Sequence, residues 1–205
     1  SVRCLDARSG RVLWIFTTDG PVRLAPTIAG KRVYFGSDDG HAYCLDAKTG
    51  RQVWKFSPAK PGELLLNNGR LIPSAPCRTG VMIDGNTAYF GCALLPWKTA
   101  WLCGVDAATG QPTGTGRFVH QLNGHTLEAP PAASSKLLIF PQGRVAPQVF
   151  RRSDGKNLGP LKKSGGGSVV VVSLDARIFH GPAADTRKGA FKSTGTGAAA
   201  AANPP

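Results

Sequence analysis

The chain has 205 residues, a formal net charge of +13, 41% hydrophobic residues, 26 glycines and 16 prolines. That apolar share supports a core and argues against global disorder, and with no run of about 18 apolar residues a membrane-spanning helix is not expected. The positive charge raises the question of an anionic partner, but basic residues are scattered, with Arg151-Arg152 and Lys162-Lys163 the densest groups, and no aromatic and basic residues interleave. A solvated basic surface is the reading, with no nucleic acid partner.

In chain order the hydrophobic period is near two, punctuated by glycine, which favours short strands over helices. Residues 1–16 read as two strands. A connection over 17–23 follows, and 24–30 open a new unit. Strands are predicted over 33–36, 42–46 and 52–56, separated by turns at Asp38-Asp39-Gly40 and Lys48-Thr49-Gly50, where glycine takes positive φ freely. Residues 57–71 read as a long loop. The pattern reopens at Ser74-Ala75-Pro76-Cys77, turns at Asp84-Gly85-Asn86, passes through an enlarged loop over 93–101 and returns at Val105 to Gly110. Glu128-Ala129-Pro130 opens a further unit with strands over 136–140 and 148–150. Gly165-Gly166-Gly167-Ser168 lacks the Gly-Lys-(Ser/Thr) ending of a phosphate loop and precedes a strand, so it reads as a linker. The stretch 175–181 echoes 30–36, and 193–205 is a Gly/Ala/Pro tail expected to be poorly ordered unless it pairs with a strand.

Cys4-Leu5-Asp6-Ala7-Arg8-Ser9-Gly10-Arg11-Val12-Leu13-Trp14-Ile15-Phe16 aligns with Cys44 to Phe56, forty residues on. A strand-built repeat of this length suggests four-stranded propeller blades. The units are 1–16 (half a blade), 22–56, 72–118, 127–162 and 166–192, with the tail over 193–205. The fold class is therefore all-β, a propeller of about four to five antiparallel blades. Because Ser1 falls inside a repeat, a fragment of a larger propeller is expected.

Five cysteines show no metal-binding or haem-attachment spacing. Cys4 and Cys44 hold a small-residue position and are expected to be buried. Cys92 and Cys103 flank one hairpin, where register decides whether they pair. His120 and His125, near Asn123 and Glu128, lack a third ligand at fixed spacing and read as loop histidines. Trp97 has no place in the repeat and either caps the core or lines a binding surface. With Trp101 it marks a possible interaction loop.

The pattern Ala-x-Asp-x-x-(Thr/Ser)-Gly-x-x-x-Trp resembles the tryptophan-docking repeat of the pyrroloquinoline-quinone-binding-like (PQQ-like) β-propellers. Asp46, Thr49, Gly50 and Trp54 match, as do Asp6, Ser9, Gly10 and Trp14. Asp106, Thr109 and Gly110 match as far as the corner, with Gly114 standing in place of the Trp. Gly159 replaces the Trp again after Ser153-Asp154-Gly155. The resemblance implies that each Trp packs between neighbouring blades and that the blades after 110 dock less firmly. It also implies a non-enzymatic scaffold in a periplasmic, cell-envelope or secreted bacterial setting, meeting protein partners through loops on one face. The alternative it implies is part of a dehydrogenase holding PQQ beside Ca²⁺ and oxidising alcohols or sugars. Such enzymes often carry two adjacent cysteines, which this sequence lacks. No catalytic residue is nominated and no cofactor is expected.

Overall fold

The computed structural model describes residues 1–67, 69–162, 166–167, 169–173, 177–181 and 192–196. Among them there is no helix. Sheet I pairs β1 (Val2–Leu5) with β2 (Val12–Phe16). Sheet II runs β3 (Thr27–Ala29), β4 (Arg32–Gly36), β5 (Ala42–Asp46) and β6 (Gln52–Phe56). Sheet III runs β9 (Met82–Asp84), β10 (Thr87–Cys92), β11 (Ala100–Asp106) and β12 (Phe118–Leu122). Sheet IV runs β13 (Ala132–Ala133), β14 (Leu137–Gln142), β15 (Val145–Arg151) and β16 (Asn157–Pro160). Sheet V has β17 (Val169–Val172), β18 (Arg177–Gly181) and β19 (Lys192–Thr196). Within each sheet neighbours in sequence are antiparallel neighbours in space, the meander of a propeller blade.

One stretch departs from the sequence reading. Residues 57–71 are not loop throughout: from residue 64 on, β7 (Leu64–Asn67) and β8 (Arg70–Pro73) form a separate hairpin. The stretch 192–196, at the edge of the expected tail, pairs with β18. Residues 174–176, within the 175–181 echo, and 197–205, the rest of the tail, lie outside the described residues.

Each central strand is apolar on both faces because it is covered from both sides. On β4, Val33 and Phe35 join Val2, Tyr43 and Leu45 against sheet I. Tyr34, between them, points the other way and joins Cys44, Trp54, Phe90, Cys103 and Val105 against sheet III. The same alternation builds a seam between sheets III and IV around Tyr89, Leu102, Phe118, Phe140 and Phe150. Leu137, Ile139, Val149, Val170 and Ile178 build the seam between IV and V. The period-two pattern is thus the folding instruction: one face of each strand belongs to the preceding blade, the other to the following one.

The seams are locked at the corners between the last two strands of a sheet. In sheet II, Asp46 Oδ1 accepts hydrogen bonds from the Thr49 N–H (2.9 Å), the Thr49 hydroxyl (2.8 Å) and the Lys48 N–H (3.2 Å). Gly50 then sits at φ 70°, to the nearest ten degrees. The indole of Trp14, from sheet I, lies on it, so close that a β-carbon at Gly50 would stand 2.6 Å from Trp14 Cδ2. The Trp14 Nε1–H donates to the Ala47 carbonyl (3.0 Å). One sheet on, Trp54 lies over Gly110 and donates to the Ala107 carbonyl (3.0 Å). Both the positive φ and the indole's approach require glycine here.

The third seam keeps this plan with other residues. Gly114, at the Trp position of the aligned repeat, is not its counterpart in space. Phe118, four residues later, lies over Gly155, and its ring stacks on His120 at 5.3 Å and 11°. His120 Nε2 meets the Asp154 carbonyl at 2.6 Å. In this corner an Arg151–Asp154 ion pair stands where Asp and Thr stand in the others.

Gly110→Ala would meet both the positive φ and the Trp54 ring, whereas Gly85→Ala meets a positive φ with nothing within 4 Å. We expect a loss of about 1 kcal/mol for Gly85→Ala and roughly 2–4 kcal/mol for Gly110→Ala, read as urea midpoints. Equal losses would mean that the ring contact contributes nothing.

Candidate functional site

In a meander, successive turns alternate between the two ends of the sheet. The β5–β6 type corners therefore share one end. The β4–β5 turn shares the other with the connections between sheets, the hairpin β7–β8 and the loop over 93–99. The β4–β5 turn of sheet II and the crossovers on either side of that sheet meet at this second face, around one carboxylate.

That carboxylate is Asp38, with 1% of its side chain exposed. It opens the turn in which the Ser37 N–H donates to the His41 carbonyl (3.0 Å) and the Gly40 N–H to the Ser37 carbonyl (3.1 Å). Arg23, from the connection between sheets I and II, donates through Nε (2.7 Å) and reaches it again through Nη2 (2.6 Å). Arg78, from the connection between sheets II and III, donates through Nε (2.9 Å) and Nη2 (2.9 Å). Burial pushes the Asp38 carboxyl up, but hydrogen bonds from Arg78 and Arg23 outweigh it and hold the group below the ordinary carboxylate value. Backbone bonds tie the same three segments: the Asp38 N–H to the Pro21 carbonyl (2.9 Å) and the Cys77 N–H to the Ser37 carbonyl (3.0 Å).

Beside it, Asp39 accepts from the Tyr43 hydroxyl (2.8 Å) and the His41 N–H (3.1 Å). Here too burial raises and hydrogen bonding lowers, leaving the carboxyl below its usual range. Burial and this bond push the Tyr43 phenol well up. Asp39, His41, Lys60, Glu63 and Ser74 line a cleft of about 210 Å³ under the hairpin. Its far wall is braced at Glu63, whose carboxylate accepts from the Ser74 hydroxyl (2.9 Å) and from Lys98 of the 93–99 loop. Leu64 lines the cleft, Leu66 (76% exposed) pairs with exposed Leu71 farther along the hairpin, and Trp97 (73% exposed) precedes Lys98, which bonds to Glu63.

The sequence-derived residues separate into two places. Asp6, Ser9, Gly10, Asp46, Thr49, Gly50, Asp106, Thr109 and Gly110 make the corners at the opposite face, with Trp14 and Trp54 on two of them. Trp97 belongs to the loop face and is not a core cap. Trp101 is not in a loop: it lies on β11 opposite Cys92, half-buried against the seam between sheets II and III. All five cysteines are free. Cys92 and Cys103 lie diagonally across β10 and β11, since Cys92 pairs with Trp101 and Cys103 with Phe90; diagonal neighbours at roughly 7–8 Å are beyond disulfide reach. Cys4 is half-buried rather than buried. His125 Nδ1 meets Gln142 Oε1 (3.1 Å), a packing role. Missed by the sequence reading were Arg23, Arg78 and Glu63, which nothing local distinguishes from other surface charges. The hairpin had a signal, Asn68-Gly69 between two apolar runs.

The first strands of successive sheets approach one another, β3 beside β9 and β13 beside β17, which puts them nearest the propeller axis. A cavity of about 400 Å³ opens there, lined mainly by Leu24, Ala25, Val81, Met82, Ile83 and Pro130. Its hydroxyls, Thr27 and Thr79, are bonded to the Val81 and Gly91 carbonyls. The acid on these strands, Asp84, is paired with Arg152 (2.7 Å). Among the described residues no carboxylate or amide side chain lines this cavity, so its donors do not fit Ca²⁺, which takes six to eight oxygens, or the quinone beside it.

Residues 1–180 match the family described as outer membrane protein assembly factor BamB. No curated protein matches the sequence. Among solved structures, the chain is similar to a quinohemoprotein alcohol dehydrogenase, ADHIIG, from Pseudomonas putida HK5, with 15% identity over 88% of this chain and 36% of that one, and a TM-score of 0.64. It is similar to the computationally designed protein Ika4, with 14% identity over 88% and 94% and a TM-score of 0.55. It also matches BamB from Moraxella catarrhalis, with 16% identity over 86% and 63% and a TM-score of 0.45. The chain thus spans about a third of the dehydrogenase and under two thirds of that BamB. At these identities the first two likenesses establish the propeller fold alone.

Asp38 and Asp39 both have lowered carboxyls in the folded state. Their stabilisation is therefore present above the ordinary value of 3.8 and is lost as pH falls through the lowered folded values. We expect Tm to decline on acidification below about pH 4, and Asp38→Asn to make that decline shallower. At pH 7 the same change should cost roughly 2–4 kcal/mol, less than for a wholly buried pair because Arg23 is half exposed. An unchanged acid limb in differential scanning calorimetry would remove Asp38 from this role.

Proposed function

This chain belongs to the BamB family of PQQ-like propellers, and from that premise we propose that it is a non-enzymatic propeller module that holds a protein partner on its loop face. The observation that carries the reading is the exposed apolar group of Leu64, Leu66, Leu71 and Trp97 on a hairpin and loop braced at their base. Singly exposed apolar residues are ordinary, but three on one hairpin, with a tryptophan on the loop bonded to the hairpin base, are the kind of group that interfaces use. A tryptophan presented on a loop is a typical anchor for such contacts.

The corner motif serves architecture on this reading. Asp6, Asp46 and Asp106 accept from their own turns, Asp106 pairing with Arg117 as well, and Trp14 and Trp54 dock blade on blade. The family implies an exported, cell-envelope setting. The +13 chain favours partners with a complementary acidic surface. Quinone-dependent oxidation is the weaker reading, because no carboxylate or amide side chain among the described residues lines the cavity beside the first strands.

The test is site-specific photo-cross-linking in the native host, with the photoreactive residue at position 66 or 97 and, as control, at position 48 on the corner face. The expected result is one discrete protein adduct from 66 and 97 and none from 48. Leu66→Asp with Leu71→Asp should reduce that adduct at least tenfold, with Tm within about 1 °C of the parent because the residues are exposed. Equal labelling from all three positions, or no adduct from 66 and 97, would overturn the proposal.

A further inference from the structure

The seam between sheets II and III holds more sulfur than its packing needs. Cys77, Cys92 and Cys103 are all buried in it. Cys77 belongs to the crossover that leaves the hairpin, and Cys92 ends β10. The Ala93 N–H donates to the Pro76 carbonyl (3.1 Å), so the two cysteines flank this bond, one on each segment. Cys77 Sγ also lies against Gly36, where a β-carbon would stand 2.6 Å from it. Burial pushes the Cys92 thiol far up, and the neighbouring Cys77 thiol adds to that. Cys103 lies two residues off the β10–β11 register from Cys92.

We propose that Cys77 and Cys92 are an oxidisable pair, joined by a disulfide that staples the crossover between sheets II and III to the central strand of sheet III. The reaction is thiol–disulfide exchange with a low-molecular-weight disulfide such as oxidised glutathione. One cysteine thiolate attacks the glutathione disulfide and releases one glutathione thiolate. The other cysteine thiolate then attacks the protein sulfur of the mixed disulfide and releases the second. Two protein thiols are oxidised by two electrons, one glutathione disulfide is reduced, and the two protons end on the released glutathione. In the folded chain both thiols are shielded from solvent, so the bond forms while the crossover is still undocked and resists reduction once it has docked. Because Arg78 follows Cys77, the staple also fixes the guanidinium that holds Asp38.

The test is to refold the reduced, unfolded chain in a mixture of reduced and oxidised glutathione, alkylate the remaining thiols under denaturing conditions, and map the peptides. The expected result is three alkylated cysteines and one linked pair, Cys77 with Cys92, lost on adding dithiothreitol. Cys103→Ser should keep the linked pair, and Cys77→Ser should abolish it. Closing a loop of about 15 residues should raise the Tm of the oxidised chain over the reduced chain by roughly 6–12 °C. Five alkylated cysteines after oxidative refolding, or a link involving Cys103, would overturn the proposal; this map of the unsubstituted chain needs no variant to fold.

Discussion

An isolated sheet of this protein would be apolar on both faces, and that constraint organises the rest. Burial of Tyr34 on one side of β4 and of Phe35 on the other commits sheet II to two neighbours at once. Nothing in the hydrophobic effect fixes the angle at which those neighbours sit, since it is proportional to area and has no direction. Direction comes from the corners. A bare glycine receives a flat ring, and a ring nitrogen meets a backbone carbonyl beside it, at Gly50, Gly110 and Gly155 alike. Glycine permits the approach and the hydrogen bond selects one orientation within it.

Much of this was legible because it is local. Strand, turn and corner follow from alternation and from Asp-x-x-Thr-Gly within a dozen residues, and the forty-residue echo revealed the blade. Legibility ended where partners are distant in sequence. Gly114 appeared to break the pattern, yet Phe118 fills the place after a longer turn, and two smaller rings on one strand do what one indole does elsewhere. Trp101 seemed to belong to a loop because the apolar run beside it hid where β11 begins. The paired guanidiniums at Asp38 join residues 15 and 40 positions away, and no spacing rule announces such a junction.

The two ends of the blades divide the labour. At the corner end, the turn aspartates accept from their own turns and the rings that cross each seam bond to backbone carbonyls there. At the loop end polar groups reach across segments, with Asp38 tying its own turn to two crossovers and Glu63 binding the hairpin base to the 93–99 loop. Such bonds make irregular backbone behave as a rigid support, so the exposed leucines and Trp97 are displayed rather than tethered. A preorganised patch loses less entropy on association than a floppy one.

The difference between seams has a consequence for ancestry and assembly. Blades built from one repeat are at risk of docking in the wrong order, as neighbouring copies of any tandem repeat are. Two seams here use an indole against an Asp-Thr corner, while the third sets Phe118 and His120 against an Arg-Asp corner. A corner whose charge order is reversed presents a different landing place to an incoming ring. Divergence at these few positions sets the third seam apart from the other two, so the ring of sheet III and the corner of sheet IV suit each other while the common fold is kept.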